Sequence, residues 1–502
     1  MDSQIQIQAW RTFWPLNLRI SFLLVLAVSF FIPFTAQSKS LDPSERQALE
    51  NQQGTHWYGV YVFGRKAGYA KMSFEIGEES YEVGEEVQLS IQAMGKAQEI
   101  YMSAQRSYSK RNGAIQKISS DFKQSGQNIR AELEVTKGIA LLTQWVSGEK
   151  TQNQVDVPLE NIHDALALSL KQKSGKLKGD LETHAFEALP PLSRELLMKH
   201  KVLKREKRMV DGVELNLTTI ETTVPEQGIS TRTLMRDDGV VLETEMMGMM
   251  KLRLEPENIA KSKGETPDVL ALSLAIPNEA IERPREVQEL ELRLDLPKIP
   301  DTFSGDHVEI TQQRPQFIEI RTLAPPLKHR SGTSIAPREA LEPTTLIQSK
   351  APGIIAKAKE ITNGARNRRE RIERLVKHVS TGLKKEYRAA LSNAVDVLKD
   401  PAGDCTEHAV YFVALARAAG IPSRVVVGLT YTSMGEGGFG GHAWAEVHYR
   451  GGWHQVDPTF GQVSADATHI PLAIGNISDI THVGSIIGQV RVRVLKVRHK
   501  SP

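Results

Sequence analysis

The only cysteine of the chain, Cys405, lies at the start of a segment that can form a helix. Apolar residues at Ala409, Phe412, Val413 and Ala416 recur at helical spacing, and a glycine and a proline then end the pattern. Free N–H groups and the helix dipole at a helix N-terminus favour a thiolate over a thiol. The sequence therefore predicts a nucleophilic thiol at Cys405.

A thiol nucleophile needs a base for its proton and a third group that orients the base. His442 precedes a predicted strand over Ala443–Tyr449, and Asp457 follows the next predicted strand. A two-glycine turn joins these strands, so antiparallel pairing would bring His442 and Asp457 to the same end of the sheet. We therefore predict a catalytic site of Cys405, His442 and Asp457.

Three segments of the chain resemble the motifs of the transglutaminase-like superfamily. Gly403–Arg424 resembles its nucleophile segment, His442–Val447 its histidine motif, and Gly452–Thr459 its aspartate motif. The three motifs occur in the family's order, and the resemblance covers residues 350–475, about a quarter of the chain.

The resemblance implies a papain-like fold with Cys405 as nucleophile, His442 as base and Asp457 as orienting group. It also implies acyl-transfer chemistry, because the family includes transglutaminases, peptidases, deamidating enzymes and peptide-deglycosylating enzymes, besides members without activity. Several members place an upstream tryptophan or glutamine in the oxyanion hole. No tryptophan occurs between Trp145 and Trp444, so the backbone N–H of Cys405 is the donor that the sequence can nominate.

Two alternative interpretations concern bound groups. Cys405, His408 and His442 could bind zinc, but a fourth ligand is missing, and His408 fits the helix surface or a position behind the site. The glycines of Ser433–Gly441 match the dinucleotide-binding pattern, but a strand follows them where that site needs a helix. We therefore expect no metal and no cofactor, and a flexible flap over Ser433–Gly441.

The remaining sequence bounds the architecture. A chain of 502 residues exceeds one ordinary core. Polar and apolar residues alternate through much of residues 55–255, with turn signals such as Asn112-Gly113 between them. The expected fold class is α+β, an N-terminal antiparallel β-rich domain followed by a transglutaminase-like (papain-like) domain. Two helices are expected in the first domain, near Leu159–Leu170 and Ser193–His200.

The N-terminus resembles a secretion signal. Arg11 and Arg19 precede the apolar run Ile20–Phe34, which is 15 residues long, and Ala36–Ser38 offers small residues for cleavage. We expect residues 1–38 to be a signal peptide or membrane anchor, 50–256 the β-rich domain, 257–345 a β-containing linker region, and 346–490 the transglutaminase-like domain. A periplasmic or envelope location follows, with membrane association through the N-terminal segment left open.

The function predicted from the sequence is an exported cysteine-dependent enzyme that acts on peptide or protein amides through a thioester. A net charge of +3 gives no support for a nucleic-acid partner. The alternative is a non-catalytic envelope protein that keeps this fold for binding or as a scaffold.

Overall fold

A computed structural model describes residues 49–500 of the chain, except for short internal gaps. These gaps are residues 51–52, 94–95, 125–126, 147–148, 174, 190–192, 211, 226–228, 247, 297–306, 325–334, 345, 387–392, 434–435 and 476–489. The predicted signal peptide or anchor at residues 1–38 lies outside the described residues. No helix within the described residues is both long enough and apolar enough to cross a membrane.

The described residues form two compact units that divide between Val269 and Leu270. We name them the N-terminal unit, up to residue 269, and the C-terminal unit, from residue 270. The N-terminal unit is antiparallel and β-rich, and the C-terminal unit combines helices and sheets, so the α+β fold class is confirmed. The finer boundaries at residues 256 and 345 stay predictions.

The N-terminal unit is built on one 14-stranded antiparallel sheet. Its strands are β1 (Gly54–Val62), β2 (Arg65–Ile76), β3 (Ser80–Ala93), β4 (Lys96–Ser109), β5 (Ile115–Gln124), β6 (Gln127–Thr136), β7 (Ile139–Val146), β8 (Glu149–Val155), β9 (Asp180–Glu187), β10 (Arg194–Val210), β11 (Val213–Val224), β12 (Ile229–Arg236), β13 (Val241–Met246) and β14 (Met250–Leu254). The spatial order is β8-β7-β6-β5-β4-β3-β2-β1-β14-β13-β12-β11-β10-β9. Most neighbours in sequence are therefore neighbours in the sheet, as short turns require.

Two helices of this unit lie wholly within the described residues between its strands or after them: α1 (Ile162–Lys173) and α2 (Glu257–Ala260). The first agrees with the helix predicted near Leu159–Leu170. The helix predicted at Ser193–His200 is wrong, because these residues belong largely to β10. Leu196, Met198 and His200 are buried at a spacing of two, which is the period of a strand.

The C-terminal unit contains two four-stranded sheets and a short parallel pair of strands. One sheet has the order β16-β17-β15-β24 and the other β22-β21-β20-β23, while β18 pairs with β19. Their bounds are β15 (Val287–Asp295), β16 (Val308–Arg314), β17 (Phe317–Leu323), β18 (Lys384–Lys385), β19 (Ala402–Gly403), β20 (Ser423–Thr432), β21 (Gly438–Tyr449), β22 (Gly452–Val456), β23 (Ile470–Gly475) and β24 (Arg491–His499). The second sheet carries the candidate site.

The helices that follow in the chain are α3 (Val269–Leu272), α4 (Pro352–Thr362), α5 (Arg368–Gly382), α6 (Ala394–Lys399) and α7 (Cys405–Ala418). Helices α4, α5 and α6 pack around α7. Residues 406–417 of α7 are all buried, which fits a helix that packs on every side against α4, α5, α6, β20 and β21. The first turn of α7 is therefore held rigidly.

The flexible flap predicted at Ser433–Gly441 is wrong for its last four residues, which form the start of β21. Phe439 pairs with Ala275 there. A Cβ atom on Gly440 would lie 2.8 Å from Leu274 Cδ2, and one on Gly438 would lie 3.0 Å from Ile276 Cδ1. These glycines therefore permit close packing of a strand.

Candidate active site

Cys405 is the first residue of α7, and the residues around it fix where this helix begins. Asp404 is the N-cap, whose Oδ1 accepts a hydrogen bond of 2.9 Å from Thr406 N, while Asp404 N donates to Glu407 Oε2 at 3.0 Å. This reciprocal capping box defines the helix start. A Cβ atom on Gly403 would lie 2.4 Å from Glu407 Cβ, so only glycine fits before the cap.

The β21–β22 hairpin brings His442 and Asp457 together. Its strands pair from Tyr449 with Gly452 to Ala445 with Val456, so Asp457 follows directly on the paired residues. The distance between His442 Nε2 and Asp457 Oδ2 is 2.7 Å, and both side chains are buried. This is the juxtaposition that the two-glycine turn predicts.

Cys405 lies beside the same strand. The backbone N–H of Ala443 donates a hydrogen bond to the Cys405 thiol, and Ala443 directly follows His442 in the chain. The structure therefore gathers the three predicted residues at one end of the sheet. With His442 Nε2 bound to Asp457, Nδ1 is the ring nitrogen left to accept a proton from the thiol.

The charges around Cys405 differ from the sequence-based expectation. Burial raises the pKa of the Cys405 thiol well above its ordinary value, and Asp404, Glu407 and Asp457 add to the rise. The thiolate predicted from the helix dipole is therefore not the resting form, because burial and, to a smaller degree, the carboxylates that cap the helix outweigh the dipole. Burial also lowers the pKa of His442, so the resting pair is a neutral thiol and a neutral imidazole.

Asp457 is held as an ionised acceptor. Its Oδ1 accepts hydrogen bonds from Thr459 N at 2.7 Å and Phe460 N at 2.9 Å, and its Oδ2 faces two histidine rings. Burial alone would raise the pKa of Asp457, but His442 and His469 hold it well below the ordinary value. The carboxylate of Asp457 therefore has a fixed position and a fixed charge.

Sequence reasoning missed His469, Asp466 and Arg285. His469 Nε2 lies 2.9 Å from Asp457 Oδ2, and Arg285 Nη1 lies 2.9 Å from Asp466 Oδ2. The available signal was the polar segment Asp466–His469, which directly precedes the apolar strand β23. Nothing in that segment alone indicates that it lies beside Asp457.

His408 is fully buried, so its interpretation as a helix-surface residue is wrong. Its Nδ1 lies 2.6 Å from the backbone oxygen of Asp404, one turn earlier in α7. Burial lowers the pKa of His408. This ring therefore packs behind the nucleophile and stabilises the first turn of its helix.

Two aromatic rings pack against His442. The Phe460 ring is stacked at 4.8 Å between centroids, and the buried Trp444 ring lies at 5.9 Å. Trp444 also meets His469 edge-on at 5.1 Å, as its predicted role in packing near the site implies. These contacts restrict the imidazole to one orientation.

His442, Asp457 and His469 are also spaced closely enough to surround a metal ion, with ligand atoms within 4.8 Å of one another. The Nε2 atom of each histidine, however, contacts the same oxygen, Asp457 Oδ2, at hydrogen-bond distance. We therefore interpret the cluster as hydrogen-bonded residues rather than as metal ligands.

A helix that presents a cysteine to a sheet carrying a histidine and an aspartate defines a papain-like arrangement. Residues 355–458 match the family model of the transglutaminase-like superfamily. This part of the chain is therefore a transglutaminase-like domain, as the three motifs predict. A comparison with curated protein sequences found no match.

Three solved structures are similar to parts of the chain. A β-barrel-like protein of a domain of unknown function from Brucella abortus shares 12% identity over 40% of this chain and 94% of its own, with a TM-score of 0.32. A candidate cysteine protease from Cytophaga hutchinsonii shares 13% identity over 43% and 90%, with a TM-score of 0.28. The periplasmic domain of TgpA from Pseudomonas aeruginosa shares 24% identity over 37% and 76%, with a TM-score of 0.27. These low scores carry no functional assignment.

Proposed function

We propose that the chain is a cysteine-dependent acyl-transfer enzyme that acts on amide bonds of peptides or proteins through a thioester on Cys405. The observation that carries this proposal is the 2.7 Å contact between His442 and Asp457, next to the strand residue whose N–H binds the thiol. In this proposal Cys405 is the nucleophile, His442 is the base and Asp457 is the carboxylate that orients the base.

In the first step, His442 Nδ1 takes the thiol proton as Cys405 Sγ bonds to the carbonyl carbon of the substrate. The oxygen of the tetrahedral intermediate becomes negatively charged and accepts a hydrogen bond from Cys405 N–H. As the first residue of α7, Cys405 has no carbonyl partner for this N–H within the helix. Asp457 stabilises the imidazolium that forms on His442.

In the second step, the C–N bond of the substrate breaks, and the imidazolium gives its proton to the leaving amine. A thioester on Cys405 remains. Water activated by His442 would then release an acid, whereas a second amine would form a new amide. We favour hydrolysis, because no binding site for a second amine is evident in the sequence.

We also propose that the chain is exported to the periplasm or cell envelope. The support is the basic and apolar pattern within residues 1–38. Fractionation of cells that express the full chain, with mass measurement of the product, tests this. Cleavage near Ser38 supports a signal peptide, an intact chain in the membrane fraction supports an anchor, and recovery in the cytoplasm contradicts export.

The enzymatic proposal is tested by the rate at which iodoacetamide alkylates Cys405 between pH 5 and 10. A working base gives an inflection at the pKa of His442, which lies below the ordinary 6.5. In His442→Ala the inflection should move to the thiol pKa, which lies above the ordinary 9.0. Identical profiles for the two proteins would contradict the proposal.

The raised pKa of Cys405 also fits the alternative of a non-catalytic binding or scaffold protein. Glutamine- and asparagine-containing peptides, tested with and without an added amine, discriminate the two. Release of ammonia or of a peptide fragment that Cys405→Ser abolishes supports the enzyme. If the alkylation profile shows an active base but no peptide is turned over, the binding function is supported.

A further inference from the structure

The ring of His469 lies between acceptor groups at both of its nitrogens. Nε2 lies 2.9 Å from Asp457 Oδ2, and Nδ1 lies 3.0 Å from the backbone oxygen of Asp466 and 3.4 Å from its Oδ1. A backbone carbonyl can only accept, so Nδ1 must donate. Asp457 already accepts two N–H groups on Oδ1, and an ionised carboxylate also only accepts. Both nitrogens of His469 therefore carry protons.

Charge balance leads to the same protonation state. Asp457 and Asp466 are buried carboxylates, and Arg285 forms an ion pair of 2.9 Å with Asp466. A protonated His469 supplies the second positive charge, which makes two charges of each sign. With a neutral His469, the resting site would bury one carboxylate without a counter-ion, which is costly.

The sheet fixes His469 relative to the base. Gly428 of β20 pairs with His442 on one side and with Pro471 of β23 on the other, and His469 directly precedes β23. A Cβ atom on Gly428 would lie 1.9 Å from the backbone oxygen of Ile470, so only glycine allows this approach. The two histidine rings are consequently held 5.8 Å apart between centroids.

We propose that His469 is a positioning residue that is protonated at neutral pH, balances the charge of Asp457 and holds this carboxylate in line with His442. His442 then stays neutral at rest and is ready to accept the thiol proton. This inference rests on the proposed function of Cys405.

The electrostatics of the site agree with this geometry. Burial lowers the pKa of His469, but Asp466 and Asp457 outweigh burial and raise it to about 9. Burial lowers the pKa of His442, Asp457 raises it, and the positive charges of His469 and Arg285 lower it further. Within the described residues, the ionisable groups that act on the two histidines are Arg285, His408, Asp457 and Asp466, besides the histidines themselves. Asp404 and Glu407 act on Cys405.

The protonation of His469 can be observed directly by NMR of the full chain labelled with ¹⁵N-histidine. His469→Gln identifies its signals. We expect two ring N–H protons and two protonated ring nitrogens on His469 at pH 7. One unprotonated ring nitrogen at pH 7 would overturn the proposal. The protonation state is read on the unmodified protein, so it does not depend on catalysis.

The effect on the base is measured by the pH profile of Cys405 alkylation by iodoacetamide. Glutamine at position 469 can still donate to Asp457 but carries no charge, so the inflection should rise by about one pH unit. At pH values below the inflection, the alkylation rate of the variant should be about tenfold lower than that of the unmodified protein. At high pH, the plateau rates of the two proteins should agree within about twofold. A lower rate at every pH with an unmoved inflection would show a merely structural role and overturn the proposal.

His454→Gln is the matched control, because His454 is a buried histidine of β22 whose Nε2 lies 3.0 Å from the Tyr449 carbonyl oxygen. The inflection in the alkylation profile of the His454→Gln protein should not move. If His469→Gln does not fold, the His469 signals are assigned by elimination, with a glutamine variant of each other histidine, and the protonation state of His469 at pH 7 then decides.

The two proposals fail in different ways. If Cys405 is alkylated no faster in the unmodified protein than in His442→Ala, the enzymatic function is contradicted. The NMR result for His469 remains decisive for its protonation in that case.

Discussion

The two units both bury clusters of ionisable side chains, but the clusters differ in charge balance. In the N-terminal unit, Arg106 contacts Glu85 at 2.9 Å and Glu160 at 3.2 Å, and the buried acids Asp164 and Glu187 lie near the same group. One buried arginine thus faces three buried glutamates, and Asp164 lies near one of them, Glu160. In the C-terminal unit, Asp457 and Asp466 are matched by His469 and Arg285.

The difference decides which carboxyl groups hold a proton. Burial raises the pKa of Glu85 and Glu187 to about 7 and that of Asp164 to about 8, even though Arg106 opposes the rise for the two glutamates. The cations beside Asp457 and Asp466 instead outweigh burial and lower the pKa of both. A buried carboxylate of these clusters therefore stays ionised where it has its own cation, as Asp457 and Asp466 do. Burial raises the pKa of Asp404, beside Cys405, to about 6.

The largest effect is expected from Asp457→Asn. An amide cannot accept from both histidines as the carboxylate does, so the base loses its orientation and His469 loses a counter-ion. Alkylation of Cys405 at pH 7 should slow by about 10²-fold or more, and the unfolding free energy should fall by about 3–5 kcal/mol. Asp295→Asn, at a half-exposed ion pair of the same unit, should change the unfolding free energy by at most about 0.5 kcal/mol. Equal effects of the two changes would contradict the assigned role.

Arg106→Met tests the cluster of the N-terminal unit. Removal of the arginine leaves its acids without a cation, so the local unfolding free energy at pH 8 should fall by about 3–5 kcal/mol. The loss should be smaller at pH 5, where the acids are neutral. Hydrogen exchange of peptides from β4 and β5 measures it. Arg130→Met, at an exposed ion pair with Glu132, should cost about 1 kcal/mol or less. A loss that is equal at both pH values would contradict the protonated cluster.

The unmodified protein should show a pH dependence that differs between its units. Because the pKa values of Glu85, Asp164 and Glu187 are raised, these groups bind more protons in the folded unit than in the unfolded chain. The stability that they contribute is complete below about pH 4 and is lost as the pH rises toward 7 and 8. The lowered pKa values of Asp457 and Asp466 contribute stability that is lost only in acid, below their ordinary value of 3.8.

The two histidines of the site shift in opposite directions. Stability from the raised pKa of His469 is lost as the pH rises from 6.5 toward 9, and the lowered pKa of His442 gives stability that is gained up to pH 6.5. Peptide-resolved hydrogen exchange between pH 5 and 8, corrected for intrinsic rates, should therefore show a steeper loss in the N-terminal unit. Parallel slopes in both units would contradict the comparison.

The smallest effect is expected from Asp164→Asn. Asp164 holds its proton near neutral pH, so an amide replaces a neutral group of similar shape, and its contacts to Asn161 can be kept. The change in unfolding free energy at pH 7 should stay within about 1 kcal/mol. A loss as large as that of Asp457→Asn, measured in the same denaturation experiment, would remove the distinction between the clusters.

The features that sequence could predict depend on local pattern. Alternation predicts the large sheet, and the two-glycine turn places Asp457 next to His442 because hairpin pairing follows from the turn itself. The start of α7 at Cys405 follows from the Asp404–Glu407 capping box.

The features that sequence missed depend on contacts distant in the chain or on competing charges. His469 reaches Asp457 only because β23 pairs with β20, a pairing that no turn signals. The thiol pKa is raised chiefly by burial, and the carboxylates of the capping box add to the rise. The glycines of Gly438–Gly441 indicate a loop from composition, yet they form a strand because Leu274 and Ile276 pack where side chains would stand.

The most direct test of the central claim, that Cys405, His442 and Asp457 act as one unit, is a double-mutant cycle on the alkylation rate of Cys405 at pH 7. Residues that act together are strongly non-additive. We predict that His442→Ala and Asp457→Asn each slow alkylation, and that the double variant is no slower than His442→Ala alone. Effects that multiply in the double variant, or a His442→Ala protein that alkylates at the unmodified rate, would contradict the account.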